Sequence, residues 1–214
     1  MSGVKTFSNS CFNWLYPPRC ALCSILGDEA ICINCLQEFV AADQIRTAIG
    51  DGPLKLTATL YPYRGRVGQA VRRLKYSRGT ALAMPMAAMM AEGLSRLGLT
   101  EYNLIVPVPI HWSRLFSRGF NQSVLLAEGL PRVNGKALQR IRRTKPQARL
   151  SRVERLSNLD RAFRAQSIVE GKTILLIDDV LTSGETVREC AKALAAAGAR
   201  EVAALAFAGE PGWS

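Results

Sequence analysis

The stretch ILLIDDVLTSGET, Ile174–Thr186, decides how this chain is read. TILLID (173–178) is an apolar run of the kind a parallel sheet buries on both faces. It carries two adjacent carboxylates, Asp178 and Asp179, to the end of a strand, where open α/β sheets hold ligands. Neighbouring like charges repel, so a partner that favours both is expected: sugar hydroxyls, a divalent cation or a nearby arginine. Thr182, Ser183, Gly184, Glu185 and Thr186 then lead into a helix. Backbone N–H groups at a helix N-terminus form a phosphate site, and Gly184 lets that backbone approach closely. Carboxylates for a diol followed by a phosphate cradle describe a ribose 5-phosphate site. The plainer alternative is an acidic strand end with Ser183 as an N-cap.

Outward from this stretch, strand-like and helix-like segments alternate from Thr57 onward, the pattern of an α/β domain with a parallel sheet. Strands are expected at TATLYPY (57–63), NLIVPVPI (103–110), ALQRIR (137–142) and EVAALAF (201–207). Helices are expected at VGQAVRRLKY (67–76), from Ala81 to Leu97, at NQSVLLAEGL (121–130) with Asn121 as N-cap, and from Glu185 to Ala197 ending near Gly198. The segment from Arg143 to Asp160 has no period. Residues 57–214 thus form the main domain, and 43–56, with Asp51-Gly52-Pro53, read as a linker.

Residues 1–42 are a separate small module holding five of the six cysteines. Cys20-x2-Cys23 and Cys32-x2-Cys35 offer four thiolates to one tetrahedral Zn²⁺. So short a segment cannot fold on hydrophobic burial alone, so structural zinc is expected to supply its folding energy. Cys11 and Cys190 fall outside the spacing and read as ordinary buried cysteines.

The 214 residues carry a formal charge of +11, unevenly spread. From Arg132 to Arg164 there are eleven Lys and Arg against Glu154 and Asp160; from Tyr61 to Arg78 there are six and no acid. Two such blocks imply an anionic partner: phosphates on a small molecule, a nucleic-acid backbone, or both. The composition, 48% hydrophobic and 21% charged, excludes a disordered or fibrous chain. The longest apolar run, Ala81–Ala91, is too short to span a bilayer, and the first residues lack a signal-peptide core. A cytoplasmic protein without membrane insertion is expected.

Three further segments attract attention. VPVPIH (106–111) reads, from its residues, as a buried strand ending in a proline turn. RGFNQ (118–122) offers Arg118 to a phosphate, and equally suits a turn before an Asn-capped helix. RRTKPQARLSRVERLSNLDRAFR (142–164) is long for an inert loop, and its charge suits a diphosphate or a nucleic-acid backbone. Phe120 and Phe163 read as core residues, and His111 as a turn residue or ligand contact.

The Ile174–Thr186 stretch resembles the signature of type I phosphoribosyltransferases, which bind 5-phosphoribosyl 1-diphosphate (PRPP) with Mg²⁺. The resemblance implies that Asp178 and Asp179 serve the ribose hydroxyls, and that Thr182, Ser183, Gly184, Glu185 and Thr186 hold the 5-phosphate. Ser183 stands where many members have a second threonine. Pro107, Val108, Pro109, Ile110 and His111 look like the family's pyrophosphate loop. Taken with the cysteine quartet, RRLKYSRG (72–79), RGFNQ and the basic segment, the whole is similar to the ComF family of competence-associated, phosphoribosyltransferase-like proteins, with the GntX proteins as relatives. That resemblance runs from about Cys20 to Phe207.

It implies a role in natural transformation and DNA uptake, with single-stranded DNA and PRPP as ligands and competence helicase or uptake-channel components as partners. Arg118, Arg142, Arg143, Lys145, Arg149 and Arg152 are the DNA- or phosphate-binding candidates. Two other functions fit the same residues. One is an active phosphoribosyltransferase of nucleotide salvage or synthesis; the other is a zinc-stabilised scaffold with a vestigial pocket. The sequence assigns no catalytic residue.

Overall fold

The computed structural model describes residues 17–50, 52–142 and 162–210. In chain order the elements are α1 (Ile33–Ala42), β1 (Arg46–Ile49), β2 (Leu54–Pro62), α2 (Gly65–Leu74), α3 (Ala83–Arg96), β3 (Leu104–Pro107), α4 (Trp112–Arg118), α5 (Gln122–Leu126), β4 (Leu138–Arg140), β5 (Phe163–Ala165), β6 (Thr173–Leu181), α6 (Glu185–Ala196) and β7 (Glu201–Gly209).

Five strands form one sheet in the order β1-β2-β7-β6-β3, and all neighbours are parallel except the antiparallel edge pair β1 and β2. The apolar run of β6 explains its inner position. Leu175 and Ile177 enter one core with Leu60, Leu205 and Phe207, while Ile174 and Leu176 enter the other with Val106, Val202 and Ala204. Alternate side chains of a strand point to opposite faces, so a strand apolar at every position suits a sheet covered on both. Helices α2 and α3 cover the first face through Val67, Val71, Leu74, Met86 and Met90. Helix α6 covers the second through Val187, Cys190, Ala191 and Leu194. Gly93 of α3 fits close against β2, where an added Cβ would fall 2.3 Å from Leu60 Cδ2. Strands β4 and β5 make a separate antiparallel pair.

The expected strands and helices occur, with shifted ends. Pro85 lies in the first turn of α3 and Asn121 caps α5, its Oδ1 accepting from Ser123 N at 3.1 Å. Residues 43–56, read as a linker, carry β1 and the start of β2. Three residues of β1 are exposed in the pattern eeie, so the strand has no apolar alternation to announce it.

The cysteine segment packs into the first core. Phe39 of α1 is buried edge-on against Tyr61 and Phe207, with ring centroids 5.8 and 6.3 Å away. Helix α2 holds the same segment by polar contacts. Gln69 Nε2 donates to Leu22 O at 3.2 Å, Arg73 donates to Ala21 O, and Arg66 Nε pairs with Glu38 at 2.9 Å. Two arginines of the first basic block therefore dock the cysteine segment. Among the described residues no helix is long and apolar enough to cross a membrane.

Candidate functional site

A cavity of about 240 Å³ opens beyond the ends of β3 and β6. Strand β6 continues through Leu181, so Asp178 and Asp179 lie within its last turn of pleat and project into this cavity. Each is held from a different side. Asp178 Oδ1 accepts from Ser123 Oγ at 3.1 Å and from Asp179 N at 2.8 Å. Lys75, at the end of α2, reaches Asp179 Oδ2 at 3.4 Å. Burial, and after it the Asp179 charge, pushes the Asp178 carboxyl up to about 7. The Asp179 N–H, Ser123 and Lys75 act in the opposite direction.

Four cations line the cavity: Lys75, Arg114, Arg118 and Arg140. Arg114 and Arg118 are four residues apart on α4, and so share one side of the helix. Burial, and then the charge of Arg118, pulls Arg114 below the ordinary guanidinium range. Burial, and then Arg114, does the same to Arg140. Cations that depress one another in a partly dry cleft favour a multiply charged anion between them. Gln122 supports the same conclusion. Its Oε1 accepts from Arg118 Nη1 at 3.1 Å, while its Nε2, on a side chain 2% exposed, has no hydrogen-bond partner. A buried amide N–H left unpaired is costly, and an acceptor oxygen in the cavity would relieve it.

The turn after β6 supplies the remaining wall. Gly184 is the N-cap of α6 with φ +71°, a left-handed conformation natural to glycine, and no side chain caps the helix. Ser183, considered as a cap, instead presents its carbonyl to Arg188 Nη1 at 2.8 Å. Of the residues expected to hold PRPP, Asp178, Asp179, Thr182 and Thr186 line the cavity. Ser183, Gly184 and Glu185 lie in the turn behind it, with Glu185 buried in the first turn of α6.

Of the expected pyrophosphate loop, Val108, Pro109 and Ile110 line the cavity. Asn121 Nδ2 ties this loop down by donating to Val108 O at 3.0 Å. Pro107 ends β3, and His111 is buried as the N-cap of α4, its Nδ1 accepting from Ser113 N at 3.2 Å. Arg118 lines the cavity, whereas Arg142 is exposed outside it. Arg143, Lys145, Arg149, Arg152 and Cys11 lie outside the described residues. Lys75, Arg114, Ser123 and Arg140 were not singled out as site residues by sequence. Lys75 and Arg140 had a signal, their places in the two basic blocks, and Ser123 lies in the expected helix 121–130; Arg114 comes from an element with no motif of its own.

A second centre lies in the cysteine segment. The Sγ atoms of Cys20, Cys23, Cys32 and Cys35 all fall within 4.8 Å of one another. Four thiols so close match a tetrahedral site with metal–sulfur bonds of about 2.3 Å, and such a set can hold a metal such as zinc. Cys20 Sγ accepts from Leu22 N and Cys32 N, each at 3.4 Å. Burial alone would raise the Cys20 thiol, but these donors prevail and bring it down to about 6, whereas burial and the neighbouring sulfurs push the Cys35 thiol up. Cys190 is buried in α6, where burial raises its thiol.

A mostly parallel sheet, an acidic strand end, a glycine-capped helix start and an N-terminal cysteine quartet define a phosphoribosyltransferase-like α/β protein with a small four-cysteine knuckle. The chain matches the family described as "Phosphoribosyl transferase domain" over residues 118–212. It is 33% identical over 159 residues to the DNA utilization protein YhgH of Escherichia coli, covering 70% of each chain. It is 29% identical over 184 residues to Competence protein F of Haemophilus influenzae, covering 80% of this chain and 75% of that one. With Competence protein ComFC of Bacillus subtilis the identity is 28% over 167 residues, 78% of this chain and 66% of the relative. Among solved structures, an allosteric regulatory enzyme of purine biosynthesis aligns with TM-score 0.41 and 21% identity, over 63% of this chain and 29% of that one. The chain belongs to the ComF-type family of phosphoribosyltransferase-like proteins.

Proposed function

We propose that this chain is a cytoplasmic DNA-handling protein of natural transformation that holds PRPP in the cavity at Asp178 and Asp179 and binds single-stranded DNA through its basic segments. The observation that carries the proposal is the meeting of Lys75, Arg114, Arg118 and Arg140 with two strand-end carboxylates in one cleft. In this reading Asp178 and Asp179 accept from the ribose hydroxyls, the turn from Thr182 to Thr186 cradles the 5-phosphate, and the arginines with Gln122 face the diphosphate. Mg²⁺ would neutralise diphosphate oxygens when bound, with Asp178 and Asp179 as the nearest carboxylates. DNA contacts come from Arg142 and from Arg143, Lys145, Arg149 and Arg152. Zinc at the four cysteines is structural and fixes the knuckle that the side chains of α2 dock. The names of the relatives, DNA utilization and competence, favour uptake-channel or helicase components as partners.

Thermal melting of the full chain with PRPP and Mg²⁺ tests the pocket. A raised midpoint that grows with ligand concentration is expected. No shift at millimolar PRPP would remove the pocket from the proposal. Assay of pyrophosphate release in the same samples separates holding the ligand from turning it over.

A further inference from the structure

Helix α4 has a second side that the phosphoribosyl cavity does not use. None of its seven residues is buried. Arg114 and Arg118 face the cavity beside Asp178 and Asp179. Trp112 and Phe116, also four residues apart, share another side with Leu115, and they are 69%, 90% and 45% exposed respectively. The Trp112 indole does not hang loose. The ring of His111, buried beneath the helix start, lies 5.3 Å from it at an angle of 41°.

A groove of about 670 Å³ adjoins this side, walled by Trp112, Leu115, Phe120, Val124, Leu138 and Ile141. It meets the phosphoribosyl cavity at Pro109, Ile110 and Arg140. Among its described lining residues Arg140 is the single charged one and none is acidic. Arg142, exposed, follows directly on Ile141 at the rim. In the sequence, seven further Lys and Arg follow between Arg143 and Arg164.

We infer that Trp112, Phe116 and the adjoining groove form a stacking platform for the bases of single-stranded DNA, with the backbone phosphates on the Arg140 and Arg142 side. The inference rests on the DNA-binding reading and gives it a location. Single strands are held where aromatic faces stand beside a cationic track, because every base has a face to stack and every linkage a charge. A duplex keeps its base faces inside and has no use for exposed indole and phenyl rings. An apolar protein partner would use the rings and gain nothing from the cationic border. The volume lies within the roughly 300–1,000 Å³ of sites that enclose most of a small ligand, enough for bases to enter from a passing strand.

The test compares the full chain with its Trp112→Ala/Phe116→Ala variant by anisotropy of a fluorescent oligothymidylate across a salt series. Both side chains are exposed, so the melting midpoint and the shift with PRPP and Mg²⁺ are expected to persist. Affinity for the strand should fall roughly tenfold or more, because stacked bases are lost. The slope against salt should not change, because no phosphate contact is removed. Trp112→Phe/Phe116→Tyr should bind nearly as the natural chain does. If the natural chain binds the strand and the alanine variant binds equally, the platform is wrong and the DNA reading stands. If the natural chain binds no strand at low salt, both fall together. If only sedimentation changes, from dimer to monomer, the face joins two copies of the chain and the inference is overturned.

Discussion

Lys75 Nζ lies 3.4 Å from Asp179 Oδ2, so the end of α2 is tied to the acidic end of β6 across the floor of the cavity. The pair is partly buried, at 29% and 13% side-chain exposure, and the contact carries more energy than a surface ion pair would. Lys75 also helps Asp178 to ionise. Lys75→Met leaves two adjacent carboxylates with less compensation. The expected result is a melting midpoint lower by about 2–5 °C at pH 8, and a PRPP-induced shift reduced by more than half. Thermal melting with and without ligand measures both.

Asp178 gives a pH dependence of definite sign. Its carboxyl is raised from 3.8 to about 7 in the folded chain, by burial first and by Asp179 second. The folded state therefore holds the proton that the unfolded state releases, and stability is lost as pH rises from about 4 to about 7. Asp178→Asn removes that loss while keeping an oxygen for Ser123 and the Asp179 N–H. Below pH 4 the two proteins should melt together. Above pH 7 the variant should melt higher, by roughly 5–10 °C, yet lose its response to PRPP. A melting series between these limits decides the matter, and a constant difference across it would contradict the assignment.

The cysteine quartet predicts a metal requirement. Chelation, or Cys35→Ser, should release one zinc per chain and lower the melting midpoint by about 10 °C or more, since binding energy at such sites is folding energy. Metal analysis of the purified chain, with melting before and after chelation, measures both quantities.

Phe39 decides whether the knuckle stands alone. It is buried against Tyr61 and Phe207 of the main sheet, so Phe39→Ala should cost about 3–5 kcal/mol, roughly 6–20 °C in midpoint. One cooperative transition is expected in the natural chain. Two separate transitions would mean that the knuckle and the sheet fold independently.

How much of this was readable in the sequence follows from what is local. Strand β6, its carboxylates and the turn into α6 form one continuous run, and its apolar spacing alone places the acids at a strand end. The cysteine spacing is equally local, and the four sulfurs do converge. The charge blocks were legible as blocks but not as roles. Arg66 and Arg73 dock the knuckle while Lys75, two residues beyond, enters the cavity, a division set by helix facing and remote packing. Helix α4 is only seven residues long, so Trp112, Leu115 and Phe116, though at helical spacing, complete too few turns to establish a period. Arg114 and Arg140 line the cavity beside Asp178 and Asp179 from elements far apart in the chain, and their convergence is a property of the fold rather than of any motif.

Gln122 offers the sharpest separation of binding from stability. Its buried Nε2 lacks a partner, and its Oε1 holds Arg118 at 3.1 Å. Gln122→Met removes the unpaired Nε2, which is favourable, and also the acceptor of Arg118, which is only half-buried and can turn to water, so the two effects nearly offset. The variant should therefore melt close to the natural chain, within about 2–4 °C, when no ligand is present. With PRPP and Mg²⁺ it should melt lower, because the variant cannot donate to a diphosphate oxygen and Arg118 has lost its support. An affinity lower by about tenfold corresponds to one charge-assisted hydrogen bond. Calorimetric titration of both proteins gives that ratio directly. An unchanged affinity would mean that the amide faces no ligand atom and that its unpaired N–H is simply a cost of the fold.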